Sequence, residues 1–231
     1  MEVVVVDHVE GARDARGVAV IIDVFRAATL QCQAMAQGAE RVLPVAAEAT
    51  ARQFKATQPH WLLVGERFAR KLPGFDHGNS PSEIAGLDLT GRTLIHTTHA
   101  GTQGLMAAQE ATVVLSAALV NASATVRRIR ELAPARVTLV RMGQEARERT
   151  LEDDLCAEWL ASQLRSESYD SAAIPERLAA APSAQKFFDP ACDYAPRADF
   201  DICVDLDRFG FALQLEGRQS ASPWLAARNP G

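Results

Sequence analysis

Short β-branched runs alternate with alanine-rich stretches of about 10–15 residues along the first two-thirds of the chain, and few architectures accept that rhythm. Parallel strands need a helix-length crossover, so repeated strand–helix alternation predicts a parallel sheet with helices packed on it. The pattern predicts strands at Glu2–Val6, Val18–Asp23, Arg41–Val45, Trp61–Val64, Thr93–Thr97, Thr112–Ala117 and Arg136–Met142. It predicts helices at Arg26–Gln37, Ala46–Thr57, Thr102–Gln109, Ala122–Leu132 and Leu151–Leu164. Gly38 falls where a helix C-terminus favours glycine. The expected fold is α/β, a three-layer α/β/α domain with a mostly parallel mixed sheet.

Beyond Leu164 the rhythm weakens. Ala172–Ala180 reads as a short helix with Pro175 in its first turn. Pro182, Pro190 and Pro196 mark irregular chain, and Phe200–Leu206 and Gly210–Leu215 read as two strands joined at Asp207–Arg208. Residues 166–231 are expected to close the same domain, antiparallel at the sheet edge, so that 1–231 forms one unit. A chain of 231 residues can bury a core of that size without staples.

Charge and composition exclude several classes. With 24 basic and 29 acidic residues the net charge is −5, which argues against a nucleic-acid partner held by phosphate contacts. No stretch approaches the roughly 18 apolar residues of a membrane span. The start, MEVVVVDHVEG, lacks the basic region of an export signal. Cys32, Cys156, Cys192 and Cys203 form no C-x-x-C pair, which fits free thiols in a reducing cytoplasm. The 48% hydrophobic content permits a homodimer interface. A small anion is still a fitting ligand, because a pocket can be positive on an acidic protein.

Ligands of open α/β sheets sit outside the carboxyl ends of the strands. There the sequence places Asp23 with Arg26, then Glu66-Arg67, Thr97-Thr98, Ser116 and Met142-Gly143. Asp23 closes a run of five apolar residues and serves equally as a helix N-cap. Arg26 stands in a first helical turn, where the dipole disfavours a cation, and so points to an anion. Gly65–Pro81 is a long loop rich in glycine and proline. It carries Glu66, Arg67, Arg70, Lys71, Asp76, Asn79 and Ser80, and carboxylates beside arginines suit Mg²⁺ and phosphate together. The small residues of Thr97–Gly104 leave backbone N–H groups for an oxyanion, or form a plain strand–helix turn. Glu152 and Asp153 open a helix, where acids are favoured in any case; their company makes them metal-ligand candidates. Of the five histidines, none has H-x-H or H-E-x-x-H spacing, and His99 lies nearest the glycine turn.

Other chemistries lack their residues. There is no P-loop and no G-x-G-x-x-G. A hydrolase elbow at Gly78–Ser82 fails, because Ser82 replaces its last glycine and Pro81 has no N–H for the oxyanion. Cys192 has Arg197 five residues on, where a cysteine phosphatase needs six. Asp23-Val24-Phe25 is similar to the nucleophile strand of haloacid dehalogenases, with Phe25 where their phosphatases carry a second aspartate.

Taken in order, Val20-Ile21-Ile22-Asp23-Val24-Phe25-Arg26-Ala27, Gly65-Glu66-Arg67, Pro73-Gly74-Phe75-Asp76-His77-Gly78-Asn79-Ser80-Pro81, Thr97-Thr98 with Gly101-Thr102, Asn121 and Leu151-Glu152-Asp153 resemble the 2-phosphosulfolactate phosphatase (ComB) family. That family often reads T-T-N-G-T where this chain has Thr97-Thr98-His99-Ala100-Gly101-Thr102, one residue longer. The resemblance implies a Mg²⁺-dependent acid phosphatase that hydrolyses 2-phospho-3-sulfolactate to 3-sulfolactate and phosphate in coenzyme M biosynthesis. The expected site has Asp23, Arg26, Glu66 and Asp76 as catalytic residues. Arg67, Asn79, Ser80, Thr98, Gly101, Thr102 and Asn121 are expected to bind substrate. Asp23, Glu66, Asp76, Glu152 and Asp153 form the acidic pool for Mg²⁺, and Asp23 either attacks covalently or holds the metal. The alternatives are a phosphatase or dehalogenase-like hydrolase for another small anion, and a non-catalytic anion-binding protein.

Overall fold

The computed structural model describes residues 1–229. Strand β1 (Glu2–Asp7) runs directly into helix α1 (His8–Asp14), followed by β2 (Val18–Ile22), α2 (Ala27–Ala36), β3 (Arg41–Pro44), α3 (Glu48–Thr57) and β4 (Leu62–Arg67). The two-residue strand β5 (Arg70–Lys71) and the short helix α4 (Pro81–Ile84) precede β6 (Thr93–Thr97), α5 (Gly101–Ala107) and β7 (Val113–Ala117). Next come α6 (Ala122–Leu132), β8 (Arg136–Arg141) and α7 (Leu151–Arg165). The last third holds α8 (Ile174–Ala179), a 3-10 turn at Pro182–Phe187, α9 (Arg197–Cys203), β9 (Ala212–Glu216) and β10 (Trp224–Arg228).

All ten strands join one sheet, in the order β1-β8-β2-β7-β9-β10-β3-β6-β4-β5, flanked by helices in a three-layer α/β/α arrangement. Two runs are internally parallel: β1-β8-β2-β7 and β3-β6-β4. Strand β2 is buried at every position, which its unbroken apolar sequence requires of a strand covered on both faces. The β9–β10 hairpin lies between the runs, antiparallel to β7 on one side and to β3 on the other. Those three antiparallel pairings make the two runs point in opposite senses along the ladder. A sheet of ten strands twists and curls strongly, and here the carboxyl ends of β2 and β6 still meet: the Gly101 N–H, beyond β6, donates to the carboxylate of Asp23, beyond β2.

The expected elements up to Arg165 are present, with three changes. Helix α1 is additional. The loop expected at 65–81 contains the β4–β5 turn, with β4 extending to Arg67, and α4 begins at Pro81. The larger corrections lie in the closing segment, of which residues 230 and 231 fall outside the described residues. Phe200–Leu206 is not a strand: its first half belongs to α9, because Asp199, Phe200 and Cys203 bury one helical face. Strand β9 stands near Gly210–Leu215 as expected and is antiparallel, but it lies in the middle of the sheet and not at its edge. Strand β10 had no signal, since Ala226-Ala227 has little strand preference.

The central position of β9 makes Leu213, fully buried against both neighbouring strands, a core residue. Leu213→Ala is expected to cost about 2–5 kcal/mol, read as a lower urea midpoint with the slope unchanged. A cost below about 1 kcal/mol would return β9 to the periphery.

Candidate active site

The carboxyl ends of β2, β4 and β6, the loop after β8 and the 3-10 turn at Pro182–Phe187 enclose a cavity of about 330 Å³. Its walls carry Asp23, Arg26, Glu66, Asn79, Thr98, Glu152 and Lys186.

Asp23 is placed by the end of β2 and the start of α2. One carboxylate oxygen accepts the Ala27 N–H (3.1 Å) and the other the Gly101 N–H (2.7 Å). The helix-capping and functional readings of Asp23 are therefore both served by one group. A Cβ on Gly101 would stand 2.7 Å from that oxygen, so only glycine lets β6 approach β2 this closely. Burial pushes the Asp23 carboxyl up to about 6 against the pull of the two N–H groups, and Glu66 and Glu152 add to the rise. Glu152, at the start of α7, is raised by burial while its Oε2 accepts the Ser183 hydroxyl (2.6 Å). Glu66 is the penultimate residue of β4, where its two oxygens accept the Ala69 and His99 N–H groups at 2.8 and 2.9 Å.

The structure separates residues that the sequence grouped together. Glu66 faces the cavity and Arg67 does not, as strand alternation demands. The Arg67 guanidinium donates to Thr97 Oγ1 (3.0 Å) and to the carbonyls of Ala46 and Glu66. Asp153 stands behind the wall, accepting the Val24 N–H (2.9 Å) and the Gly143 N–H (2.7 Å). Burial raises its carboxyl well above the ordinary range, with the charges of Asp23 and Glu152 adding. Asp76 lies outside the cavity and accepts from Leu63 N–H (2.7 Å) and Lys55 Nζ (3.1 Å). Partial burial would raise its pKa, but those two donors bring it below the ordinary range. Asn121 is fully buried in the turn after β7, bonded to the Ala118 N–H and the Ser116 carbonyl. Thr98 lines the cavity, and Thr102 braces it by accepting the Thr98 N–H at 2.9 Å.

Arg26 reaches the cavity, but its charge is already matched. Its Nη1 donates to Asp199 Oδ2 (2.6 Å) and the Tyr194 carbonyl (2.8 Å), and its Nη2 to the Ala69 carbonyl (3.2 Å). Asp199, fully buried on α9, also accepts Ser80 Oγ (2.7 Å), Ser82 N–H (2.9 Å) and Ser82 Oγ (2.6 Å). Ser80 is thus tied to Asp199 and caps α4, away from the main cavity. Asp199 carried no motif in the sequence. Lys186 carried none either, yet it is the cavity-lining cation with no ion pair among the described residues; its Nζ stands 5.2 Å from the Phe187 ring centroid. Burial lowers its pKa, helped by Arg26 and opposed by Glu152 and Asp23. His99 does line the cavity, with its ring edge-on to Phe68 at 4.7 Å.

Asp23, Glu66 and Glu152 present hard oxygens of the kind that Mg²⁺ takes. Among the described residues no three such side chains cluster tightly enough to hold a metal ion unaided. Mg²⁺ commonly uses one or two carboxylates and completes its shell with water and phosphate oxygens.

Comparison with known proteins adds a second line. Residues 4–211 match the family model described as 2-phosphosulpholactate phosphatase. A relative from Synechococcus sp. (strain CC9605) is 35% identical over 213 residues, covering 83% of this chain and 86% of that protein. One from Synechococcus sp. (strain WH7803) is 34% identical over 216 residues, 86% of each. One from Deinococcus radiodurans is 40% identical over 131 residues, 56% of this chain and 55% of that protein. Each bears the name "Probable 2-phosphosulfolactate phosphatase".

Two predictions follow from the site geometry. Asp199→Ala leaves Arg26 buried without its partner and is expected to cost about 3–5 kcal/mol; an unchanged urea midpoint would show that Asp199 is not what joins α9 to the sheet end. Asp23 holds its proton more tightly when folded (about 6) than at the ordinary value of 3.8. Between those values the folded state carries more protons, so the contribution of Asp23 to stability falls as pH rises. Asp23→Asn is expected to flatten that part of the stability–pH curve of the metal-free protein, measured by urea unfolding; an unaltered slope would show that Asp23 titrates normally.

Proposed function

The chain belongs to the 2-phosphosulfolactate phosphatase family, and from that premise we propose that it hydrolyses 2-phospho-3-sulfolactate to 3-sulfolactate and phosphate, with Mg²⁺ as cofactor. The observation that carries this reading is that Asp23, with Glu66 and Glu152 close enough to raise its carboxyl, shares one cavity with Lys186, which has no ion pair among the described residues.

Four carboxylates line the cavity (Asp23, Glu66, Glu145 and Glu152), and its cations are Arg26 and Lys186. With Arg26 matched by Asp199, that wall repels a multiply charged anion unless a cation enters with it. Mg²⁺ would be held by Asp23 and Glu152, with Glu66 at hand, and would supply charge neutralisation and polarisation of the phosphoryl oxygens. Asp23 is prevented from swinging by its two backbone bonds, so a cation held there would meet a phosphoryl group from a fixed side. Lys186 gives the substrate anion a point charge with three donors. Asn79 and Thr98 add neutral donors where charge grows in the transition state. Arg26, neutral as a pair with Asp199, acts through its fixed position between β2, the Ala69 turn and the segment before α9.

Phosphate release from 2-phospho-3-sulfolactate, with Mg²⁺ and with excess EDTA, tests the reading. Metal-dependent release exceeding that from phospholactate and p-nitrophenyl phosphate is expected. Asp23→Asn is expected to lose turnover while folded. Lys186→Met is expected to raise KM roughly 10- to 100-fold, the loss of one charge-assisted contact. No release from any of the three esters by folded protein would sink the assignment.

A further inference from the structure

A line of buried polar side chains runs through the sheet to the back of Asn79, and no step above uses it. Ser116 on β7 donates its hydroxyl to Gln31 Oε1 of α2 (2.6 Å). Gln31 Nε2 stands 3.2 Å from His96 Nδ1 on β6, and His96 Nε2 stands 3.2 Å from Asn79 Oδ1 in the cavity wall. Gln31 and His96 are fully buried, Ser116 is 2% exposed and Asn79 6%. Burial, assisted by the charge of Arg67, lowers the His96 pKa to about 3, so a single ring nitrogen carries hydrogen at neutral pH.

Amides and a neutral imidazole are directional, so such a line runs in one sense or the other. In one sense Ser116 O–H donates to Gln31, the Gln31 amide to His96 Nδ1, and His96 Nε2–H to the Asn79 carbonyl. The Asn79 N–H₂ group then faces the cavity. In the reverse sense Asn79 donates to His96 and turns its carbonyl oxygen to the cavity. Two observations select the first. The reverse sense leaves the Ser116 hydroxyl hydrogen buried without an acceptor, since Gln31 is its side-chain partner among the described residues. It also points a carbonyl oxygen at a wall carrying Asp23, Glu66 and Glu152, where an N–H₂ group is attracted.

We propose that His96 is a positioning residue: held as the Nε2–H tautomer by Gln31 and Ser116, it turns the Asn79 N–H₂ group into the cavity as a neutral donor to an anionic oxygen of the substrate. The orientation stands on the hydrogen-bond accounting and the charge of the cavity wall, while the donor role rests on the phosphatase reading.

Heteronuclear NMR of the full-length chain, ¹⁵N-labelled in its imidazoles, tests the orientation. The His96 ring is expected to carry hydrogen on Nε2 with Nδ1 bare, unchanged across roughly pH 5–8; hydrogen on Nδ1 would overturn the proposal. Activity tests the role. His96→Met removes the donor behind Asn79 and is expected to lower kcat on the phosphate ester about 10- to 100-fold, less than the 10²–10³ typical of deleting an oxyanion donor itself. His96→Gln, which offers an amide N–H near the position of Nε2, is expected to recover most of that loss. Each kcat is measured well below that variant's melting midpoint, so that unfolding does not register as lost turnover. A His96→Met variant as fast as wild type at saturating substrate would overturn the donor role. Absence of phosphatase activity in the wild type would fell the reading of the site, and the tautomer would still decide the orientation.

Discussion

The carboxylate of Asp23 joins two halves of a sheet whose parallel runs point in opposite senses. The β9–β10 hairpin connects those halves through the ladder, but nothing in the ladder obliges their carboxyl ends to meet. The bonds to Ala27 N–H and Gly101 N–H do so, one on each half. This requires glycine at 101 and places a charged group where desolvation opposes it. The same bonds that oppose the proton partly restore the charge against the effect of burial. Asp153, bonded to Val24 N–H and Gly143 N–H, ties β2 to the loop after β8 in the same way.

Around that joint the charges are distributed so that cations are spent on structure and carboxylates are left facing the cavity. Arg26 is matched by Asp199, and Arg67 is turned away toward Thr97. A buried ion pair contributes little net stability, but leaving one member alone is costly. The pair therefore acts chiefly to fix geometry: Asp199 holds Arg26, Ser80 and Ser82 at once, and through them the β2–α2 turn and the start of α4. The cavity that results carries Asp23, Glu66, Glu145 and Glu152 against Lys186 and an Arg26 already matched by Asp199.

Most strands and helices up to Arg165 were legible because apolar runs alternate with helix-length stretches, whereas the short α1, β5 and α4 were not; Asp23 was legible because a charge at the end of an apolar run is conspicuous. What was lost was direction and distance. Glu66-Arg67 and Glu152-Asp153 are neighbours in sequence, yet alternation in a strand and about 100° per residue in a helix send one member of each pair to the cavity and the other away. Asp76 sits in the most distinctive motif of the chain and serves Lys55 and the β4 backbone instead. Phe200–Leu206 alternates apolar and polar residues like a strand, but the aromatic packing of Phe200 on Phe25 and Phe188 needs the helical face. Asp199, Lys186 and His96 acquire meaning only from partners at least 17 residues distant in the chain, and no local pattern reports those.

The closing segment sets the positive charge at the cavity. Without α9, Arg26 would face the cavity without its Asp199 partner. With α9 and the Pro182–Phe187 turn, Arg26 is neutralised, and Lys186 on that turn is the cavity-lining cation with no ion pair among the described residues. A lysine is a flexible point charge that does not impose a fork geometry on its ligand. The rigid arginine at the sheet end is thus held for structure, and the positive charge without an ion pair among the described residues sits on the covering turn.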